Sequence, residues 1–384
     1  MSETVPLDLS VDRVRVFLDG EIVGSLTLSP AKTVAFSYES SWLSSGFSIS
    51  PLSLPLREGV FVAKRDPLHG LFGVFDDSMP DGWGRLLTDR LLRQRGIDPY
   101  SIGTLTRLSI VGSSGMGALE YEPAADIENG VAATDLDDIA RECANLLETD
   151  FSEDLDQLFA LGGSSGGARP KILAEVDGEE WIIKFPSSVD STNIGEQEYQ
   201  ISVLARECGI DMPETRLFAS AQCSGYFGVR RFDRTRDDDG TEHKVHMISA
   251  GGLLETSHRI PNLDYGLLMR LTMRVCNSTE ECERLYRLMC FNVFIGNRDD
   301  HAKNFSYLYD RSRQAWRLSP GYDLTENPGI NGEHTTSVNG KGKNITIADL
   351  ASVGVKAGIS RARCIAIANE MQDRIRDTGF AVRD

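Results

Sequence analysis

The chain has 384 residues, of which 41% are hydrophobic and 25% charged, a composition typical of a globular protein with two or three cores. No apolar run reaches the roughly eighteen residues of a membrane span, and the first residues lack the basic and apolar parts of a signal peptide. We therefore expect a cytoplasmic protein without a membrane partner. A formal net charge of −17 repels nucleic acid phosphates, so any association with DNA is expected to be indirect, through a basic partner. The seven cysteines form no CxxC pair, which argues against a structural zinc site.

The amino-terminal part of the chain predicts a small antiparallel sheet followed by a helix. Residues 13–38 read as three strands, with an Asp-Gly hairpin turn at 19–20 between the first two. Residues 84–95 predict a helix with one apolar and one basic side. The segment 120–134 is acidic and rich in turn residues, which predicts a boundary between domains.

The remainder predicts a second short sheet and then a mostly helical part. Strands are predicted at 171–176, 181–185 and 226–232, and a turn at 177–178 makes the first two a hairpin. Helices are predicted at 135–147, 195–208, 267–275, 280–295 and 360–376. The predicted fold class is therefore α+β, with a β-rich amino half and a mostly helical carboxyl half.

A loop rich in glycine and serine, at 162–168, runs directly into the first strand of this hairpin. Glycine lets backbone N–H groups approach an anion closely, so the loop is a candidate phosphate cradle. It is not a Walker A motif, because no Gly-Lys-Ser/Thr closes it, and a plain connector is the alternative. Lys184, one hairpin later, is a candidate for the α- and β-phosphates of ATP; a solvent-facing lysine is the alternative. Glu198 on the following helix, with Glu196 as the second choice, is a candidate ion-pair partner; an exposed helical glutamate is the alternative.

The pattern most informative about function is Asp299, followed five positions later by Asn304, with the isolated Asp323 on the next segment. An aspartate, an asparagine and a second aspartate in this order form the acid set of a kinase-like phosphoryl-transfer site. A predicted strand pair, 305–309 and 316–318, would return Asp323 to the neighbourhood of Asn304. The sequence thus predicts that Asp299 takes the proton of the acceptor hydroxyl while the other two side chains bind Mg²⁺.

Neighbouring residues leave some roles open. Lys303 is a candidate contact to the γ-phosphate, His301 is expected to be structural, and Asp300 is expected to be solvated or to assist the base. Two other functions are considered. One is a catalytically weak kinase fold that acts as a binding module and co-repressor; the other is a metal-dependent phosphohydrolase built on residues 299–301 and Asp323.

These motifs resemble those of the HipA family, the kinase toxins of bacterial toxin–antitoxin pairs, over nearly the whole chain. The resemblance rests on the segments MPDGWG (79–84), VGSSGMGAL (111–119), SSGGARPK (164–171), IKFP (183–186), RRFDR (230–234), DDHAKNFS (299–306) and LSPGYD (318–323). It implies a two-lobed fold like that of protein kinases and phosphoinositide kinases. The implied parts are an accessory subdomain at 1–125, a nucleotide-binding lobe at 126–233 and a helical lobe at 234–384.

The resemblance also implies a serine/threonine protein kinase that autophosphorylates a serine of the Gly-rich loop, by position Ser164 with Ser165 as the alternative. Family members phosphorylate translation components, notably aminoacyl-tRNA synthetases, and a small helix-turn-helix antitoxin (HipB-like) that binds operator DNA restrains them. The residues expected to contact ATP are Gly163, Ser164, Ser165, Gly166, Gly167, Lys184, Arg231, Phe232, Asp233 and Lys303. The catalytic base is expected to be Asp299, with Asn304 and Asp323 as Mg²⁺ ligands.

Overall fold

The computed structural model describes residues 11–124, 135–149, 152, 155–237 and 240–383. The chain forms two compact units, Met1–Glu196 with Arg216–Met247 and Gln197–Thr215 with Ile248–Asp384. The boundary that the sequence predicts between 233 and 234 lies inside the first of these units and stays a prediction. The boundary predicted at 125–126 lies outside the described residues. Among the described helices, none is long and apolar enough to span a bilayer.

The amino-terminal part of the first unit is an antiparallel sheet with helices against it. Its elements are β1 (Arg13–Leu18), β2 (Glu21–Leu28), β3 (Val34–Tyr38), α1 (Ser40–Ser45), β4 (Phe61–Val62), α2 (Gly73–Asp76), α3 (Gly82–Gln94), α4 (Thr104–Val111) and β5 (Glu120–Glu122). The strand order is β4-β3-β2-β1-β5. Asp19 and Gly20 have φ angles of 49° and 75°, as the central residues of a type I′ hairpin turn require. The predicted β1–β2 hairpin is confirmed.

The rest of the first unit carries the Gly-rich loop. Its elements are α5 (Leu136–Thr149), α6 (Leu155–Gly162), β6 (Lys171–Val176), β7 (Glu179–Lys184), α7 (Ile194–Glu207, which continues into the second unit), β8 (Thr215–Phe218), β9 (Tyr226–Arg230), β10 (Arg234–Arg236) and β11 (Glu242–Lys244). The sheet order is β6-β7-β9-β8. One apolar cluster joins Trp83 and Leu87 of α3 to Phe159 of α6 and Ile183 of β7. This packing places the loop that follows α6 beside the start of α3.

The second unit is mostly helical, as predicted. Its elements are β12 (Met247–Ser249), α8 (Ala250–Leu254), β13 (Leu263–Asp264), α9 (Tyr265–Cys276), α10 (Thr279–Ile295), β14 (Ser306–Asp310), β15 (Ala315–Leu318), β16 (Thr336–Ser337), α11 (Ile347–Lys356) and α12 (Arg361–Asp377). Ser278 caps α10 by accepting a hydrogen bond from Glu281 N–H. Every residue of α10 from Leu288 to Ile295 is buried. The end of this helix is therefore a fixed point from which the candidate catalytic loop leaves.

Candidate active site

The candidate catalytic loop starts where α10 ends. Gly296 takes the left-handed backbone conformation, with φ at 71°, and terminates the helix. The next residue, Asn297, is buried, and its Nδ2 donates to Asn292 Oδ1 at 3.0 Å. Because Asn292 lies in the last turn of the helix, this bond fixes the beginning of the loop to a buried element.

A short 3₁₀ turn, Ala302–Asn304, holds Asn304 next to Asp299. His301 Nδ1 accepts from Lys303 N–H at 3.3 Å and caps the turn, which is a structural role. Asn304 Nδ2 donates to the backbone oxygen of Asp299 at 2.8 Å. This bond orients the carboxamide and leaves Oδ1 available as an acceptor, while the Asp299 side chain is exposed. It joins the Asn304 side chain to the backbone of Asp299.

The hairpin of β14 and β15 returns the chain to the same place. Tyr307 pairs with Leu318, so the segment after β15 runs back to the start of β14. The Tyr322 hydroxyl donates to Lys303 O at 2.5 Å and lies 2.6 Å from Ser306 Oγ. Asp323, the next residue, has φ at 54° and an exposed side chain. The predicted strand pair is confirmed, and it brings the segment of Asp323 to the residues that flank Asn304.

Asp300 is fully buried, so the expectation that it is solvated was wrong. Its carboxylate accepts hydrogen bonds from the Tyr265 hydroxyl at 2.9 Å, from His334 Nδ1 at 3.0 Å and from Thr336 N–H at 3.1 Å. Burial and then the Asp300 charge raise the pKa of the Tyr265 hydroxyl well above its usual range, so it remains a donor. A buried carboxylate is costly unless it is bonded in this way. Asp300 therefore anchors the loop from inside, while Asp299 faces outward.

The residues before and in β16 hold the backbone on both sides of Asp299. Thr335 donates to Arg298 O from N–H and from Oγ1, each at 3.0 Å. Thr336 Oγ1 donates to Asp300 O. The sequence did not reveal this contribution of residues 334–336, because no local pattern links them to a loop more than thirty residues away.

Lys184 is the last residue of β7, in the first unit. It pairs with Lys171 of β6 on one side and with Phe227 of β9 on the other, so β7 is an inner strand of its sheet. The Lys184 ammonium lies 5.5 Å from the centroid of the Phe227 ring, and the side chain is half-buried. Glu198 of α7 is also buried, with 4% of its surface exposed.

The Gly-rich loop distinguishes its two serines. Ser165 is buried, and its Oγ donates to Gly162 O at 2.6 Å, inside the loop. Ser164 is half-buried, and its Oγ donates to Ser114 O at 2.8 Å. Of the two hydroxyls, that of Ser164 is the less buried.

Arg231 and Asp233, which are expected to contact the nucleotide, bond to one another and to the backbone of Gly115 and Gly117. Arg231 donates to Asp233 through Nε at 3.0 Å and through Nη2 at 2.8 Å, and Gly117 N–H donates to Asp233 Oδ2 at 2.7 Å. Burial alone would raise the pKa of Asp233, but the guanidinium charges of Arg231 and Arg234 outweigh it and lower the pKa to about 2. Their charges are used in this network, and the nucleotide role that the sequence predicts for them stays a prediction. Phe232 between them is half-buried.

The side chains predicted to bind the metal, Asn304 and Asp323, are few and carry oxygen. The described residues hold no cluster of three or more His, Cys, Asp or Glu side chains that could bind a metal ion. One carboxylate and one carboxamide fit Mg²⁺, which keeps several waters and prefers hard oxygen ligands. The phosphohydrolase alternative fits less well, because Asp300 is buried and His301 Nδ1 caps a turn.

Comparison with known proteins places these features in a family context. Residues 163–378 match the family model described as HipA-like C-terminal domain, and residues 14–122 match the one described as HipA N-terminal domain. The chain is 28% identical to "Putative kinase Y4dM" of Sinorhizobium fredii, over 94% of this chain and 90% of that protein. It is also 28% identical to "Putative kinase Y4mE" of the same organism, over 90% and 84%. The fold matches HipA of Shewanella oneidensis MR-1, solved with HipB and operator DNA, at a TM-score of 0.73 and 18% identity, over 95% of this chain and 89% of that one.

Proposed function

Since the chain belongs to the HipA family, we propose that it is an ATP- and magnesium-dependent serine/threonine protein kinase. The observation that carries the proposal is the convergence of the Asp299, Asn304 and Asp323 segments in one unit. A capped 3₁₀ turn and a strand hairpin produce it. The names of the two Sinorhizobium relatives, both putative kinases, support kinase activity in general.

Each group of the acid set has a defined task. Asp299 is exposed and accepts the proton of the attacking hydroxyl. Asn304 Oδ1 and the Asp323 carboxylate would hold Mg²⁺, which when bound would neutralise charge on the phosphates. Phosphoryl transfer depends mainly on positioning and charge neutralisation, so the rigid attachment of this loop to α10 and β16 is part of the catalytic design.

The nucleotide contacts come from residues 163–167, Lys184, Lys303 and Phe232. The Gly-rich loop offers backbone N–H groups to the phosphates, and the Lys184 ammonium neutralises the α- and β-phosphates. Arg231 and Asp233 form a buried ion pair. We therefore assign them to holding the segment that carries Phe232, and not to contact with ATP.

We further propose that the kinase phosphorylates its own Ser164. The hydroxyl of Ser164 is less buried than that of Ser165. A phosphate on Ser164 adds about −1.5 to −2 charge. It also removes the hydroxyl proton that Ser164 donates in its hydrogen bond to Ser114 O. Repulsion between this group and the phosphates of ATP would drive the loop out of the site, so self-modification should silence the enzyme.

The protein partners follow from the family and from the charge of the chain. HipA of Shewanella oneidensis was solved with HipB and operator DNA, which supports a helix-turn-helix antitoxin as partner here. A net charge of −17 makes direct DNA binding unfavourable, so the antitoxin would supply the DNA contacts. The substrate class we propose is a translation component, such as an aminoacyl-tRNA synthetase.

The test is incubation of the purified chain with γ-labelled ATP and Mg²⁺, beside Asp299→Asn and Ser164→Ala. We expect label on the wild type, little on Asp299→Asn and none on Ser164→Ala. Ser164→Ala should still label an added protein substrate, which separates loss of the acceptor from loss of the enzyme. Absence of label on the wild type and on added substrates, together with absence of ATP binding, would refute the proposal.

A further inference from the structure

The Gly-rich loop is bonded directly to the segment that begins α3. Trp83 donates its backbone N–H to Gly167 O at 2.8 Å, and the Asp81 carboxylate accepts from Gly167 N–H. The segment 81–83 therefore forms hydrogen bonds with both the N–H and the C=O of Gly167. Gly167 is exposed, so neither group needs a protein partner to avoid desolvation. The contact is specific and is not forced by burial.

This close approach depends on glycine at two positions of the accessory segment. A Cβ atom on Gly82 would lie 2.2 Å from Gly167 O, and one on Gly84 would lie 2.2 Å from Ser165 O. Glycine is among the poorest helix formers, yet both residues stand in the first turn of α3. At Gly84 glycine is explained by the need to let the loop come this near, whereas Gly82 also has a φ angle of 42°, which favours glycine by itself.

Asp81 departs from the usual behaviour of its position. It is the N-cap residue of α3, where an aspartate normally accepts a hydrogen bond from the backbone N–H of its own helix. Asp81 makes no such cap bond, and its Oδ1 accepts from Gly167 N–H instead. Lys171 donates to Gly166 O at 2.6 Å, so an ammonium group lies beside the same turn. The turn at Gly166 and Gly167 therefore binds an anion, and in this structure that anion is the carboxylate of Asp81.

We propose that Asp81 is an internal competitor of the nucleotide and sets the affinity of the Gly-rich loop for ATP. This inference rests on the proposed function, in which the loop covers the ATP phosphates. Gly167 N–H cannot donate a full hydrogen bond to Asp81 and to a phosphate oxygen together, and the carboxylate repels the phosphate charge. ATP binding therefore displaces Asp81 from the loop.

Removal of the Asp81 side chain should leave the loop in place. The bond from Trp83 N–H to Gly167 O remains, and Ser164 Oγ still donates to Ser114 O at 2.8 Å. Trp83 Nε1 also donates to Lys171 O at 3.1 Å, at the end of the loop. Because the Asp81 side chain makes no cap bond to α3, its replacement removes no cap bond from that helix.

The test is isothermal titration calorimetry of the full chain with Mg²⁺ and a non-hydrolysable ATP analogue. We expect Asp81→Ala to bind about tenfold more tightly than the wild type. Asp81→Asn should fall between them, because asparagine keeps an acceptor without the charge. Glu58→Ala removes an exposed negative charge from the same unit and should bind like the wild type. Hydrogen exchange at the Gly167 amide, without nucleotide, should be faster in Asp81→Ala than in the wild type.

The possible outcomes separate this inference from the proposed function. Binding of the analogue by the wild type, with equal or weaker binding by Asp81→Ala, would overturn the role of Asp81 and leave the kinase proposal intact. Unchanged exchange at the Gly167 amide in Asp81→Ala would overturn it as well, whatever the affinities. Failure of the wild type and both Asp81 variants to bind the analogue would refute the proposed function and this inference with it.

Discussion

Replacing Asp300 with asparagine tests whether the buried carboxylate holds the candidate catalytic loop. Its Oδ2 accepts from Tyr265 and His334, and its Oδ1 accepts from Thr336 N–H. In Asp300→Asn at least one of these donors faces an NH₂ group, and the remaining bonds lose their charge. An unsatisfied buried donor costs about 1–3 kcal/mol and a hydrogen bond to a charged group contributes about 1.5–3 kcal/mol. We expect the free energy of unfolding to fall by about 3–5 kcal/mol, within the sum of these two contributions.

Asp299→Asn is the matched control, since it makes the same chemical change one residue away at an exposed position. Its free energy of unfolding should change by less than about 0.5 kcal/mol. Its rate of phosphate transfer, in contrast, should fall by about a hundredfold or more, because the general base is lost. The measurements are urea unfolding followed by circular dichroism and label transfer from ATP. Equal destabilisation by the two variants, or a fall of less than about 1 kcal/mol in the free energy of unfolding of Asp300→Asn, would show that Asp300 does not hold the loop.

Two further predictions concern the first unit. His246 is buried, and its Nε2 lies 2.8 Å from Ile49 O. Burial lowers the pKa of His246 to about 4. On acidification the unfolded chain therefore takes up a proton at this residue before the folded chain does. The stabilisation is complete above about pH 6.5 and is lost as the pH falls toward 4, by about 2 kcal/mol at pH 5. Urea unfolding at pH 7.5 and pH 5 should show this difference in the wild type and not in His246→Gln; an equal pH dependence of the two would contradict it. Gly84→Ala should lower the free energy of unfolding by about 1–3 kcal/mol, since the added methyl group meets Ser165 O, and a more stable variant in the same urea assay would disprove the contact.

Local patterns were sufficient to predict the longer strands and helices, about half of those in the described residues. The turn at Asp19 and Gly20, the hairpin of β6 and β7 and the long helix α10 all lie within a few residues of their predicted bounds. Their signals are alternation, turn residues and apolar periodicity, which act over short distances in the chain. Neither α6 nor α11 was predicted from the sequence. Both are short, at eight and ten residues, so periodicity distinguishes them poorly from buried loops.

The candidate site was only partly predictable, because the missing information is tertiary. Asp299 and Asp300 are identical residues in a polar run, and no local signal tells which one is buried. That distinction depends on His334 and Thr336, whose contacts with Asp300 appear only once the chain is folded. The charges of the segment 230–234 likewise resembled a nucleotide-binding pattern, whereas the folded chain uses them in a buried network with Gly115 and Gly117.

In the proposed active site, Asn304 and Asp323 share one metal ion, and Asp299 takes no part in holding it. Titration of the ATP-bound chain with Mn²⁺, followed by electron paramagnetic resonance, measures this directly, since Mn²⁺ replaces Mg²⁺ at oxygen sites. We expect Asn304→Ala and Asp323→Ala each to weaken Mn²⁺ binding by about tenfold or more, and Asp299→Asn to leave it nearly unchanged. Equal weakening by all three variants, or Mn²⁺ binding that is insensitive to Asp323, would contradict the assignment.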